Sequence, residues 1–258
     1  MGYLSNEGFM DNIILNIPHA STVLPIEAIA KDGNIETYKK ELLYMTDWYT
    51  DTLFQNGIGT PVVAPVSRLI CDTERFRNDD EESMAKIGMG AIYTSTHNLE
   101  KLCTLCDEHR EAILSKYYDP HHKLLELYTA KALDEYNKAI IIDCHSFSPY
   151  PLRYEPEQDR DRPDICIGTD NFHTPKELES FVLSYFNSLG YSTALNKPYS
   201  GTIVPMKYYQ KEKRVQSIMI ELNRGLYLKK DSNEKSLHFE QLKKEIGNLL
   251  SLIEKTNK

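Results

Sequence analysis

The chain has 258 residues, 41% of them apolar and 26% charged, and its formal net charge is −8 at pH 7. This length and apolar share suffice for one sizeable α/β core, whereas the acidic balance argues against nucleic acid or an anionic membrane as a partner. Because no apolar run reaches the ~18 residues that a membrane-spanning helix needs, we expect no segment to cross a bilayer.

The amino terminus and the cysteines indicate the compartment. Residues 1–7 lack the basic and apolar regions of a signal peptide. The five cysteines are odd in number and have no framework spacing, as is typical of reduced thiols. We therefore expect a cytoplasmic protein.

Six short apolar runs, most of them closed by polar groups, predict the strands of a largely buried sheet. In chain order they cover Ile13–Ile17 and residues 61–66, 139–142, 164–168, 191–195 and 217–220, of which 191–195 is the weakest. Helical periodicity between them predicts helices over residues 38–55, 98–116, 120–137, 175–189 and 233–255, with Gly190 capping the fourth. The alternation predicts a single three-layer α/β domain over residues 1–258, with a mostly parallel central sheet flanked by helices.

Polar residues follow four of these strands at the point where each apolar run ends. They are His19 after the first run, Arg68, Asp72 and Arg75 after the second, His145 after 139–142, and Glu221 and Arg224 after the last. Because the carboxyl ends of parallel strands meet at one edge of a sheet, we expect these side chains to converge on one crevice. Histidines, a glutamate and arginines are the residue types that a metal-dependent hydrolase needs.

His19 and His145 are the strongest candidate metal ligands, because each lies just past a predicted strand. A catalytic zinc ion typically has three protein ligands and keeps a fourth position for water. For the third ligand we choose Asp47, with Asp51 one helical turn away as its rival. Alternatively, Asp47 only caps the helix that follows it. His122, near the start of the third predicted helix, could face the same crevice or the surface.

Seven segments, in order, resemble the N-formylglutamate amidohydrolase family and extend from residue 13 to about residue 230, nearly the whole chain. They are residues 17–21 (Ile-Pro-His-Ala-Ser), 46–51, 67–75, 143–147 (Asp-Cys-His-Ser-Phe), 164–169, 198–201 and 220–227. The resemblance implies a compact fold akin to the zinc carboxypeptidases and acyl-amino-acid deacylases, with one zinc ion. It also implies hydrolysis of a small N-acyl amino acid, with N-formyl-L-glutamate giving formate and L-glutamate as the type reaction.

The resemblance also implies roles for individual residues. His19, Asp47 and His145 would hold zinc, which would activate a water molecule. Glu221 would act as the general base that later passes the proton to the leaving amine, and Arg68 would assist catalysis. The implied substrate contacts are Arg75, Asp72, Ser146, Gly201 and Arg224.

Structural alternatives remain for the charged residues. Glu221 could be a buried ion-pair partner of Arg224 or another arginine, since a carboxylate at the end of an apolar strand is costly to bury unpaired. Arg68 and Arg75 carry the fixed forks that suit a carboxylate or an oxyanion, but either could instead pair with Asp72.

Two short stretches depart from the pattern of the family. The family usually has Asp-x-Asn-Arg where this chain has Asp72-Thr73-Glu74-Arg75, so Glu74 adds a negative charge near the expected carboxylate-binding arginine. The family usually has Pro-His-Ser-Gly where this chain has Pro18-His19-Ala20-Ser21, which keeps the ligand but changes the loop.

Two other classes of function stay open. The chain could be a small-molecule binding protein that kept the fold and lost the metal, or a zinc peptidase or cell-wall-fragment amidase that acts on larger substrates. A pocket closed by the charged loops 75–83 and 153–163 would favour small acyl-amino acids, whereas an open groove would favour peptides. The sequence leaves the oligomeric state open.

Overall fold

The computed structural model describes residues 11–256, so the expected lack of a signal peptide concerns residues outside this range. Within it, a six-stranded sheet has the strand order β2-β1-β3-β6-β4-β5. The strands are β1 (Ile13–Ile17), β2 (Thr60–Val63), β3 (Ala139–Phe147), β4 (Ile165–Gly168), β5 (Thr193–Leu195) and β6 (Val215–Asn223). Strands β2, β1, β3 and β6 are parallel to one another, and β4 and β5 run antiparallel to β6.

Helices cover both faces of this sheet. The helices are α1 (Ile35–Met45), α2 (Thr50–Phe54), α3 (Asp107–Ile113), α4 (Asp119–Tyr136), α5 (Lys176–Ser188) and α6 (Phe239–Thr256). Of these, α2, α4, α5 and α6 cover the sheet, whereas α1 and α3 belong to a separate core. On one face Leu125 of α4 belongs to the same core as Ile141 of β3. On the other face α2, α5 and α6 pack on the sheet, where Ile246 of α6 shares a core with Ile142. The predicted three-layer α/β fold with a mostly parallel sheet is confirmed.

The register of the central strands places polar side chains beside one another. Asn16 of β1 lies opposite Asp143 of β3, and His145 of β3 lies opposite Glu221 of β6. Asp143 and His145 are two residues apart, so their side chains project from the same face of the sheet. A carboxamide, an imidazole and two carboxylates therefore meet near the carboxyl ends of three parallel strands.

Strands β3 and β6 extend further than their apolar runs predict. Each has nine residues, and the two strands pair along their whole length. His145 and Glu221 therefore lie inside the strands rather than just past them, because the ladder satisfies their backbone groups. Strand β2, by contrast, is shorter than predicted and ends at Val63, which pairs with Ile17, the last residue of β1.

The helix predicted over residues 38–55 is interrupted at residues 46–49, between α1 and α2. The N–H of Asp47 donates to the carbonyl of His19 (3.0 Å) instead of continuing the helix. The Leu43 carbonyl, which a continuous helix would offer to Asp47, accepts the indole N–H of Trp48 (3.2 Å). Tertiary hydrogen bonds thus outweigh the helical periodicity, and Asp47 lies in the interruption.

The helix predicted over residues 98–116 is wrong in its first half. Residues 98–106 are not helical, because their backbone bonds to the preceding loop, for example from Leu102 N–H to Thr94 O (2.8 Å). Helix α3 begins at Asp107 and continues through the π-helical turn Leu114–Tyr118 directly into α4.

The last two helices lie where the periodicity predicts them, apart from the start of α6. Gly190, just after α5, has a positive φ (91°), as expected of a residue that ends a helix. Helix α6 begins at Phe239, later than predicted, because Leu228 and Lys235 form a β-bridge before it. Across the described part of the chain, no helix is both long enough and apolar enough to cross a membrane.

Candidate metal centre

Three buried side chains from separate parts of the chain form the centre of the site. His19 lies two residues after β1, Asp47 lies between α1 and α2, and His145 lies in β3. One ligand atom from each residue lies within 4.8 Å of the others, and the residues are 2%, 3% and 5% exposed, respectively. The structure therefore brings together the three side chains that the sequence predicts as ligands.

Of the two aspartates considered as the third ligand, Asp47 is the one that faces the histidines. Its Oδ2 accepts a hydrogen bond from the N–H of Ser146 (3.1 Å) and lies 3.2 Å from His145 Nδ1. Helix α2 has no side-chain cap, so the carboxylate of Asp47 does not act as its N-cap. Asp51 instead accepts a hydrogen bond from the backbone N–H of the next residue (2.8 Å).

Carboxylates set the orientation of both imidazole rings. His19 Nε2 lies 2.8 Å from Asp72 Oδ1, and His145 Nε2 lies 2.9 Å from Asp143 Oδ1. Because an ionised carboxylate only accepts hydrogen bonds, each Nε2 carries a proton. Each Nδ1 then faces Asp47 Oδ2, at 3.5 Å from His19 and 3.2 Å from His145. His19 Nδ1 is buried and lacks a hydrogen-bond partner within residues 11–256.

The ionisation states of these groups depend on one another. Burial opposes the ionisation of Asp47, but the hydrogen bond from His145 and the nearby His19 hold the pKa of Asp47 below its ordinary value. Burial also opposes protonation of His145, but Asp143 and Asp47 raise the pKa of His145 well above its ordinary value. The raised pKa of His145 favours a proton on the Nδ1 that faces Asp47, and a bound metal ion would displace such a proton.

Two imidazole nitrogens and one carboxylate oxygen are a donor set that suits zinc. The carboxylates behind the histidines also match the usual surroundings of metal-ligating imidazoles. A second group, Glu74, Asp143 and His145, has ligand atoms within 4.8 Å of one another as well. A neutral imidazole has one lone pair, and the proton on His145 Nε2 is committed to Asp143. The lone pair is therefore on Nδ1, which favours the group that contains Asp47.

Asn16 links two carboxylates behind His145, although neither Asn16 nor Asp143 is among the predicted site residues. Asn16 Nδ2 donates to Glu74 Oε1 (2.5 Å) and to Asp143 Oδ1 (2.8 Å), and Asn16 Oδ1 lies 2.9 Å from His121 Nε2. Burial and the neighbouring Asp143 raise the pKa of Glu74 well above its ordinary value. Two sequence signals point to these residues: Asn16 is polar inside an apolar strand, and Asp143 shares a strand face with His145.

Asp72 lies behind His19 and is 0% exposed. Besides His19, its oxygens accept hydrogen bonds from Arg68 Nη2 (2.8 Å), the hydroxyl of Tyr93 (2.7 Å) and the N–H of Glu74 (2.9 Å). Burial opposes its ionisation, but Arg68 and His19 hold the pKa of Asp72 well below its ordinary value. These contacts fit a residue that orients His19 better than they fit the predicted substrate contact.

The two arginines beside the centre differ in how much of their hydrogen-bonding capacity the protein uses. Arg68 donates through Nε and Nη2 to Asp72, and its Nη1 lies 3.9 Å from Asp47 Oδ1. Arg75 Nε lies 3.8 Å from Asp72 Oδ2 and, although buried, has no hydrogen-bond partner among the described residues. Arg68 is therefore the arginine that forms a structural pair with Asp72, whereas the guanidinium of Arg75 remains available to a ligand.

Glu221 is 7% exposed, and its Oε2 is buried without a hydrogen-bond partner in the described part of the chain. Burial raises the pKa of Glu221 to about 8; the negative charges of Asp47 and Asp143 add to this effect, and His145 opposes it. Within residues 11–256 no ion pair joins Glu221 to an arginine, so the alternative of a structural ion pair has no support. A buried, unpaired carboxyl beside a candidate metal centre is typical of a functional group.

A cavity of about 980 Å³ opens onto the metal centre. Residues 76–78 and 154–156 of the two charged loops line it, as does His122, which therefore faces the cavity rather than the outer surface. Arg224 also lines the cavity, but its Nη1 donates to backbone carbonyl groups at the end of α1.

Ser146 and Gly201, two of the predicted substrate contacts, also line the cavity. Gly201 has a positive φ (86°), which favours glycine there. Its carbonyl oxygen packs against Gly168 at the end of β4, where any Cβ would overlap it and the side chain of Met219. This close contact fixes the turn at residues 198–201 against the sheet.

The sequence model of the N-formylglutamate amidohydrolase family matches residues 11–228 of the chain. The fold is similar to the crystal structure of N-formylglutamate amidohydrolase from Ralstonia eutropha JMP134, with a TM-score of 0.80 and 20% sequence identity over 97% of this chain and 95% of that chain. It is also similar to the crystal structure of a gene product from Agrobacterium tumefaciens, with a TM-score of 0.65 and 20% identity over 94% and 92% of the two chains. No curated protein sequence matches the chain significantly.

Proposed function

The chain belongs to the N-formylglutamate amidohydrolase family, and from this membership we propose that it hydrolyses the amide bond of an N-acyl amino acid with one zinc ion as cofactor. The first candidate substrate is N-formyl-L-glutamate, which would give formate and L-glutamate. The observation that carries the proposal is that His19 and His145 both direct Nδ1 at Asp47, while a carboxylate backs each ring.

His19, Asp47 and His145 would hold the metal ion. Bound zinc supplies Lewis acidity, which lowers the pKa of water and polarises a carbonyl group. Asp72 and Asp143 would accept hydrogen bonds from the Nε2–H groups of the two histidines and so keep the Nδ1 lone pairs directed at the centre.

Glu221 would carry the proton during hydrolysis. Its Oε2, which has no partner among the described residues, would accept a proton from the attacking water and return it to the nitrogen of the leaving amine. The C–O bond to the water oxygen would form first and the amide C–N bond would break afterwards; because the proton taken from water goes to the amine nitrogen, Glu221 would end the cycle ionised, as it began. A pKa raised toward neutrality suits a group that must both take and release a proton.

The two arginines would act on different parts of the substrate. Arg68 is fixed by Asp72, with its Nη1 directed toward Asp47, where it would stabilise negative charge on the acyl oxygen. Arg75 would bind the substrate carboxylate, since its guanidinium is not saturated by the protein. Ser146 and Gly201 would contribute further polar contacts from the cavity wall.

The size of the cavity favours one alternative. A volume of about 980 Å³ lies at the upper end of the ~300–1,000 Å³ of small-molecule pockets. It leaves room for groups larger than those of N-formylglutamate. A peptide or a cell-wall fragment, cleaved by the same residues, is therefore the second candidate substrate.

A small molecule is the partner we propose, because a net charge of −8 disfavours a nucleic acid. We also propose a cytoplasmic location, because five cysteines, an odd number without framework spacing, are typical of reduced thiols.

Metal analysis coupled to a substrate screen tests the proposal. The purified protein should contain about one zinc ion per chain, as sites with three protein ligands do. It should hydrolyse N-formyl amino acids in a screen that also includes N-acetyl and N-succinyl amino acids and short peptides. A zinc-loaded protein that cleaves peptides alone would support the second candidate. A protein that binds no zinc, or that cleaves none of these amides when loaded, would contradict the proposed function.

A further inference from the structure

Residues 46–49, which separate α1 from α2, carry Asp47 into the metal centre. The end of a helix leaves its last carbonyl groups without helical partners. These groups need other donors if the segment is to keep a single conformation. The donors come from the short helix Arg224–Leu226 and the residue after it, immediately beyond β6.

Arg224 supplies two of these hydrogen bonds. Its Nη1 donates to Tyr44 O and to Thr46 O, both at 2.9 Å, and the residue is only 8% exposed. Its positive charge also lies at the C-terminal end of α1, where a cation offsets the negative end of the helix dipole. Arg224 therefore holds the carbonyl group directly before Asp47.

Tyr227 holds the carbonyl group of Trp48, the residue after Asp47. Its hydroxyl donates to Trp48 O (2.9 Å), and the residue is 0% exposed. Its ring packs against Phe239, with the ring centroids 6.1 Å apart, so the hydroxyl has little freedom to move. Because the N–H of Asp47 donates to His19 O (3.0 Å), the backbone around Asp47 is held on both sides.

We propose that Arg224 and Tyr227 are positioning residues of the metal centre, which hold Asp47 where its carboxylate can bind zinc. The inference rests on the proposed zinc-dependent function and changes the expected role of Arg224, whose Nη1 is used by the protein rather than by a substrate. Glu221 lies three residues before Arg224 in the same segment. The end of β6 thus positions the general base and the third metal ligand together.

The substitution Tyr227→Phe tests this role, because it removes one hydroxyl group and keeps the packing of the ring. The readout is the zinc dissociation constant of the metal-free protein, measured by competition with a chelator. The constant should rise about 10- to 100-fold, as is typical when an outer partner of a metal ligand is lost.

Tyr185→Phe is the matched control. The hydroxyl of Tyr185 also donates to a backbone carbonyl, Glu245 O of α6 (2.7 Å), but neither residue lines the cavity. This variant should bind zinc as tightly as the wild-type protein, although both variants lose one hydrogen bond of the same kind. Circular dichroism of both variants confirms that the fold is retained.

Arg224→Lys and Arg224→Gln separate positioning from substrate binding. Lysine keeps a charged donor, so it should retain more zinc affinity than glutamine does, and KM should change less than the zinc dissociation constant. A raised KM with unchanged zinc affinity would identify Arg224 as a substrate ligand and overturn the proposal.

Two other outcomes are also decisive. If the wild-type protein binds no zinc, the proposed function fails and the positioning role fails with it. If the wild-type protein and Tyr227→Phe bind zinc equally well, the proposed function stands and only the positioning role is overturned.

Discussion

Each histidine of the metal centre has a carboxylate behind it, Asp72 for His19 and Asp143 for His145. The carboxylate accepts a hydrogen bond from Nε2–H and thereby leaves the Nδ1 lone pair for a metal ion. Glu221 is different, because no cation of the described protein pairs with it and burial raises its pKa to about 8. At the metal centre the hydrogen bonds of Asp72 and Asp143 are therefore used by the protein, whereas His19 Nδ1 and Glu221 Oε2 have no partner among the described residues.

Glu221→Gln should remove most of the activity while zinc stays bound. The amide keeps the size of the side chain but cannot accept the proton of water, so kcat should fall by about 10²–10⁴-fold. The acidic limb of the pH profile of kcat/KM should disappear, because the group that must be ionised is gone. Steady-state rates over a range of pH, with zinc analysis of the same samples, check this. Loss of zinc would show instead that Glu221 is a ligand.

The stability of the same variant separates catalysis from packing. The pKa of Glu221 in the folded protein, about 8, lies above its ordinary value of 4.5. Between these two pH values the folded state binds more protons than the unfolded state, so this group makes the protein less stable as the pH rises. The variant lacks this pH-dependent loss of stability. The Tm of zinc-free Glu221→Gln minus the Tm of the zinc-free wild-type protein should therefore increase as the pH rises through this range. A large loss of Tm with full activity per folded molecule would identify a structural residue.

Arg75→Ala should weaken the hydrolysis of acidic substrates. A charge-assisted hydrogen bond contributes about 1.5–3 kcal/mol, so kcat/KM should fall by at least about 10-fold. Arg214→Ala is the control, because Arg214 pairs with Glu212 (2.7 Å) and does not line the cavity. Steady-state kinetics with N-formyl-L-glutamate distinguish the two variants. An unchanged kcat/KM in Arg75→Ala would show that this arginine is structural.

At the scale of secondary-structure elements, hydrogen bonds between elements outweigh local periodicity. The nine-residue ladder extends β3 and β6 past their apolar runs. Hydrogen bonds with His19, just after β1, and with Arg224, just after β6, hold residues 46–49, where the helix is interrupted. The turn at residues 198–201 is placed in a similar way, by close packing of Gly201 against Gly168 of β4. The position of a site residue is thus set by contacts between its own element and a neighbouring part of the chain.

Gly168→Ala should destabilise the protein and disturb the cavity. A Cβ on Gly168 would overlap the carbonyl oxygen of Gly201, a backbone atom that cannot rotate away, and the side chain of Met219. Overpacking of this kind typically costs about 1–3 kcal/mol. A shift of Gly201, which lines the cavity, should also raise KM. Thermal unfolding and kinetics measure the two effects, and if neither Tm nor KM changes, the turn is free to move and the prediction is wrong.

At the scale of the whole molecule, the metal centre joins β1, the segment between α1 and α2, and β3. Its three candidate ligands, His19, Asp47 and His145, are far apart in the chain but lie within 4.8 Å of one another in the fold. A zinc ion that binds this arrangement has little affinity for the unfolded chain. Metal binding should therefore be coupled to the stability of the entire domain.

Zinc should stabilise the folded protein by about 2.7 kcal/mol when its free concentration is 100 times the dissociation constant. Removal of zinc by a chelator should accordingly lower the Tm, and adding zinc back should restore it. His19→Ala and His145→Ala should lose the metal and this zinc-dependent shift while they keep the fold by circular dichroism. Full zinc occupancy in both variants would rule out the assignment of the ligands.

The sequence by itself determined the α/β alternation, the six strands and the residue types at the edge of the sheet. These features follow from local patterns, because a buried strand needs an uninterrupted apolar run and a covering helix needs an apolar face. The same patterns placed His19 and His145 near strand ends, where ligands of an α/β sheet bind. The choice of Asp47 over Asp51 was also made from the sequence, and the family resemblance added the order of the motifs.

Only the tertiary structure decided which groups face one another. It placed Asp47 rather than Asp51 beside the histidines, moved Asp72 behind His19, and added Asn16 to the site. Each of these relations depends on a hydrogen bond between residues distant in the chain, such as the Ser146 N–H to Asp47, 99 positions apart. Such bonds form only after the strands and helices have packed, so no local pattern of apolar and polar residues contains them.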